Sequence, residues 1–132
     1  MRKVFTMGCF VNFSNHPSSK WSKEQIRAAR EYGEIIDVRF PSLDANIDED
    51  SIKIIGEDCI AQIIEKNPTA VMCQGEFTLT FYVVNRLIDK GITCVSACTK
   101  RFSNETMLVD GTVHKESLFV FERFRKYIGE CD

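Results

Sequence analysis

Four short apolar runs, at residues 4–11, 35–40, 70–73 and 92–96, constrain this chain more than any other feature. Helical patterns separate them. Ile26, Ala29 and Tyr32 form one face over residues 22–32, and Ile52, Ile55, Cys59 and Ile63 repeat at helical spacing over residues 48–66. Phe77, Phe81, Val84, Leu87 and Ile88 do the same from residue 77 to about 90. Short continuous apolar runs suit strands buried on both faces of a sheet. Strands that alternate with helices connect by right-handed crossovers into a parallel sheet. The tail differs: Asp110-Gly111 between two β-prone arms, residues 106–109 and 112–115, signals a hairpin, and residues 118–124 extend it or add a strand. The expected fold is α/β: a three-layer, Rossmann-like domain with four parallel strands and a C-terminal antiparallel β-hairpin, one domain over residues 1–132.

Helix boundaries carry their own chemistry. Ser22 followed three residues later by Gln25 reads as a capping box, each side chain satisfying the other's backbone N–H. Gly33, Pro41, the pair Asn67-Pro68 and Gly91 serve as stops.

Bulk composition narrows the function classes. A formal charge of -2 gives no general attraction to duplex nucleic acid. No apolar run is long enough to span a membrane. The N-terminal residues run straight into a strand pattern and lack a small-residue cleavage site, so they read as strand rather than signal peptide. The six cysteines lack a CxxC pair, and Cys9, Cys59, Cys73 and Cys94 fall on apolar positions. Buried structural thiols in a reducing cytoplasm explain them better than a metal site or disulfides. No metal and no cofactor is expected.

In open α/β sheets, ligands bind outside the carboxyl ends of the strands. Three polar segments should converge there: residues 12–20, 74–78 and 96–101. Lys100 and Arg101 offer cationic donors for a phosphate, or form an ordinary solvated pair. The starts of the first and third helices offer unpaired N–H groups and positive dipole ends. His16 can act as acid or base near neutral pH, or merely shape a His-Pro turn. Gly75 would let backbone approach a ligand closely. Glu76 and Gln74 suit a ribose hydroxyl or a base edge, although a carboxylate in the first turn of a helix is also favoured by the dipole alone. The candidate catalytic residues are His16, Lys100, Arg101 and Glu76. The candidate ligand-binding residues are Asn12, Ser14, Asn15, Gln74, Gly75, Thr78, Ser96 and Thr99.

Asn12-Phe13-Ser14-Asn15-His16-Pro17 after the first strand, with Gln25 in the first helix, resembles the small standalone CRISPR-associated ring nucleases. The wider CARF-like group also has four parallel strands and a C-terminal hairpin, and residues 96–101 are loosely similar to its fourth-strand signature. The resemblance implies a homodimer that binds cyclic oligoadenylate in antiviral defence signalling. It also implies metal-independent cleavage, in which a ribose 2′-OH attacks its own phosphate and leaves a 2′,3′-cyclic phosphate. Lys100 and Arg101 would then stabilise the phosphorane, Asn12 and Ser14 would hold phosphate or ribose, and His16 would position or protonate. The strand–Gly75–Glu76–helix turn also looks like nucleoside deoxyribosyltransferase-like hydrolases, which would make Glu76 the catalytic residue of a nucleoside or nucleotide N-glycosidase. A nucleotide sensor without chemistry is the third expectation.

Overall fold

The computed structural model describes residues 8–129. Five strands form one mixed sheet in the order β2-β1-β3-β4-β5. They are β1 Cys9–Ser14, β2 Glu34–Arg39, β3 Pro68–Cys73, β4 Thr93–Met107 and β5 Val113–Lys126. The β1–β2, β1–β3 and β3–β4 pairs are parallel, and β4–β5 is antiparallel. Three helices lie against the sheet: α1 Lys23–Arg30, α2 Glu49–Glu65 and α3 Phe77–Asp89.

Alternation along the central strands sends successive side chains to opposite faces. Val11 and Phe13 of β1, with Val71 and Cys73 of β3, pack against α2 and α3 through Ile52, Cys59, Ile63, Leu79, Val83 and Leu87. Phe10, Ala70, Met72 and Val95 face the other way, onto Ala29 of α1 with Trp21 and Tyr32. One helix therefore covers one face and two cover the other. Phe10 is fully buried, with ring centroids 5.6 Å from Tyr32 and 4.9 Å from Phe124. The end of β5 is tied to the centre: Tyr127 donates its N–H to the Cys94 carbonyl at 2.9 Å and its hydroxyl to the Cys73 carbonyl at 2.7 Å.

Three expectations change. The first strand runs on through Asn12 and Ser14, both buried, instead of ending at Val11; residues 4–7 lie outside the described residues. The fourth strand does not end at Ser96. It continues as the first arm of the hairpin, so residues 96–101 are strand and not loop. Beyond Ser96 the apolar alternation disappears because both faces of the ribbon meet solvent, which hides the strand from a hydrophobic reading. Half of the capping box forms: Ser22 accepts the Gln25 N–H at 3.2 Å, but the Gln25 side chain reaches instead to Met72, Nε2 to Sδ at 3.9 Å.

Asp110 and Gly111 make the hairpin turn as expected. Gly111 has a φ of 87°, and the Leu108 N–H donates to the Thr112 carbonyl at 2.7 Å. Cys9, Cys59, Cys73, Cys94 and Cys98 are free thiols; Cys131 lies outside the described residues. Among the described residues no helix is long and apolar enough to cross a membrane.

Candidate functional site

At the carboxyl ends of β1 and β3 the chain leaves toward opposite faces, to α1 from β1 and to α3 from β3. Such a divergence opens a crevice between the two strands. A cleft of about 700 Å³ lies there on the α1 face, lined by His16, Lys20, Trp21, Ser22, Gln25, Met72, Gln74, Ala97, Thr99 and residues 119–121. All three segments expected at one rim contribute to it. Gln74 joins two of them. Its N–H donates to the Phe13 carbonyl at 3.2 Å, and its side-chain oxygen accepts the Ala97 N–H.

The His16 loop is built from beneath. Asn12 is 1% exposed and spends its whole amide internally. Its Nδ2 donates to the His16 carbonyl at 2.8 Å and to Asp37 Oδ1 at 3.1 Å. Its oxygen accepts the Ser14 hydroxyl at 2.6 Å. Ser14 Oγ in turn accepts the His16 N–H at 3.1 Å, and Trp21 Nε1 donates to the His16 carbonyl at 3.1 Å. Asp37 also accepts the Ser18 N–H at 3.1 Å. Both backbone groups of His16 are thus fixed, while its exposed imidazole lines the cleft. Asn12 and Ser14 act on this loop; neither lines the cleft. On the outer side of the loop, a second cleft of about 630 Å³ is lined by Asn12, Ser14, Asn15, Pro17, Asp37, Arg39 and Ser42.

The other candidates separate. Lys100 and Arg101 are successive strand residues, so they point to opposite faces of the ribbon and do not converge on one phosphate. Arg101 lies over Phe119, its guanidinium 6.0 Å from the ring centroid, and donates from Nη2 to Ser117 Oγ at 2.9 Å. It borders the cleft through Phe119, which lines it. Lys100 sits over Phe102 on the other face. Glu76 is the N-cap of α3, with Oε1 accepting the Leu79 N–H at 2.7 Å, and it does not line the cleft. Gly75 serves packing: a Cβ there would lie 2.4 Å from the Phe40 ring. Thr78 faces a different hollow, beside Phe77, Phe81 and Tyr127. Ser96 is half-buried opposite Arg125, and Thr99 lines the cleft opposite Phe121.

Trp21, Phe119 and Phe121 are cleft residues that the sequence reading did not place in the site, while Lys20 closes the first expected rim segment and Gln25 belongs to the motif of the resemblance. The single Trp and the aromatic run at residues 119–121 were the available signals. The cleft offers one imidazole, one ammonium, two carboxamides and two hydroxyls beside three aromatic side chains. Among the described residues no group of three or more His, Cys, Asp or Glu could hold a metal ion.

Fold and cleft together define an α/β-sheet protein with a ligand-sized crevice at its strand ends. The chain belongs to the uncharacterized protein MJ1673 family, whose model matches residues 8–125 and so takes in every residue that lines the cleft. No curated protein and no solved structure matches it.

Proposed function

We propose that this protein is a homodimeric, Rossmann-like, CARF-like domain that binds a cyclic oligoadenylate and opens it without metal. The observation that carries the reading is the cleft itself, whose lining combines cationic and aromatic groups. Trp21, Phe119 and Phe121 offer flat faces for adenine, and base–aromatic stacking contributes about 1–3 kcal/mol per base. Lys20 brings a positive charge to the phosphate, and the amides of Gln25 and Gln74 suit base edges or ribose hydroxyls. The Asn12–Pro17 resemblance to ring nucleases supports the same ligand class.

In this reading the ribose 2′-OH attacks the adjacent phosphorus in line and the bond to the 5′-oxygen breaks. The products are a 2′,3′-cyclic phosphate and a 5′-hydroxyl. Protonated His16 gives its proton to the leaving 5′-oxygen, and the proton of the attacking hydroxyl passes to water. Lys20 stabilises the extra charge on the phosphorane, and Arg101 does so from the cleft's border. The protein's main contribution is positioning, which the clamp on the His16 backbone supplies. The reaction belongs to a cytoplasmic defence-signalling role.

Incubation with cyclic tetra- and hexa-adenylate, followed by chromatography, tests it. Linear oligoadenylate ending in a cyclic phosphate, formed equally in EDTA and lost in His16→Ala and Lys20→Ala, is the expected result. Release of free adenine would replace this reading with a glycosidase using Glu76. Tight binding without turnover would leave a sensor.

A further inference from the structure

Past Val95 the β4 edge that faces β3 is paired with no strand among the described residues, because the β3–β4 ladder ends there and the Gln74 side chain takes the Ala97 N–H. From residue 99 to 107, β4 has only β5 beside it among the described residues, and every one of these β4 residues is exposed. A two-stranded ribbon is marginally stable on its own in water. This one also exposes Phe102, Met107, Leu108, Val109 and Leu118. A free strand edge is a template for another strand.

We propose that this edge pairs antiparallel with the same edge of a second copy, about a two-fold axis through Ser103. A two-fold normal to the sheet keeps every residue on its own face, so only residues an even number apart can stand opposite each other. Centring on Ser103 places Arg101 opposite the partner's Glu105, and symmetry repeats the pair. Thr99 then meets the partner's Met107, Lys100 meets the partner's Thr106, and no like charges face each other. Centring on Phe102 or Asn104 brings no opposite charges together. Arg101 has no ion-pair partner in its own chain among the described residues, and Glu105 holds only an exposed pair with Lys115 at 3.4 Å. Both are therefore available for charge complementarity across the two-fold. The same register ends with Met107, the last residue of β4, opposite the partner's Thr99. Each hairpin tip thereby lies beside the rim of the other copy's cleft, which Thr99 lines. The cleft of one copy is completed by the ribbon of the other.

The pairing requires no nucleotide, so its test is separate from the ring-opening assay. Sedimentation of the ligand-free chain at micromolar concentration should show a dimer. Glu105→Arg should weaken it about tenfold or more, because two opposite-charge pairs become two like-charge pairs. Arg101→Glu should do the same, and the double charge swap should restore association. Ser103→Cys, in a Cys98→Ser background, should yield a covalent dimer on mild oxidation. Circular dichroism of each variant establishes that the fold is retained. A strict monomer, or a dimer that ignores both charge reversals and fails to cross-link at Ser103→Cys, would overturn the proposal while leaving the ligand reading intact.

Discussion

β4 is a single strand with two environments. Near its start, Cys94 and Val95 are sealed, Val95 against the α1 layer and Cys94 against the α2–α3 layer. A few residues later the same strand carries Phe102 at 49% exposure, and its partner β5 carries Phe119 at 63%. Backbone pairing is continuous across the change, apart from one register shift between Cys98 and Thr99. Strand formation therefore does not measure stability here; coverage by helices does. The candidate cleft sits at the boundary, with its inner wall on the covered sheet and its outer wall on the bare ribbon.

If coverage is what divides the two halves, alkaline pH should weaken the covered half. Burial pushes the Cys94 thiol up to about 12 from an ordinary 9.0, and pushes the Cys73 thiol up as well. Tyr127, also mainly through burial, is pushed up to about 12 from 10.0. The folded state keeps protons that the unfolded chain releases. Stability is therefore full below about pH 9 and declines as pH rises toward 12. Three groups shifted in the same direction make the loss of stability cumulative. Urea midpoints measured against pH should fall steadily through this window, and Cys94→Ala should flatten the slope. A midpoint that holds between neutral pH and about pH 11 would contradict the sealed-core description.

A single core truncation is the next largest effect. Phe10 packs against Tyr32, Phe124 and Trp21, so Phe10→Ala removes the contact that holds α1 and β5 to one face. Denaturant titration should show a loss of about 3–5 kcal/mol.

Asn12→Ala tests the boundary itself. It strips three hydrogen bonds from a buried position and unclamps the His16 carbonyl. A loss of about 2–3 kcal/mol is expected by denaturant titration. Turnover of cyclic oligoadenylate should fall by more than that stability loss explains, measured at a temperature where the variant remains folded. Unchanged turnover would show that loop geometry does not govern His16.

How much of this was legible follows the same division. Where helices cover the sheet, the apolar runs and the cap at Ser22 announce the elements to within a few residues. Asn12 and Ser14 misled because polarity signals a loop, whereas their amide and hydroxyl satisfy each other inside the strand. That pairing depends on Asp37 and His16 meeting in space, which spacing along the chain does not encode. Gly75 and Glu76 looked like site residues, yet a ring contact with Phe40 and an N-cap account for them. Lys100 and Arg101 looked like a pair until the strand sent them to opposite faces. In the ribbon the Asp110-Gly111 turn and its arms were legible, but residues 96–105 were not, since residues bare on both sides carry no inside–outside rhythm.

The smallest expected effect belongs to the ribbon tip and sharpens the contrast most. Val109 is fully exposed, so removing its methyl groups deletes no contact within the chain. Val109→Ser should change the stability of the single chain by less than about 0.5 kcal/mol. The measurement belongs in the Glu105→Arg background, where the two copies are held apart and association cannot add to the folding free energy. In the otherwise native chain the same substitution should loosen the dimer, because the tip just beyond Met107 then meets the partner's rim with a polar side chain. An equal effect in both backgrounds would place the role of Val109 inside one chain and remove the tip from the second copy's cleft.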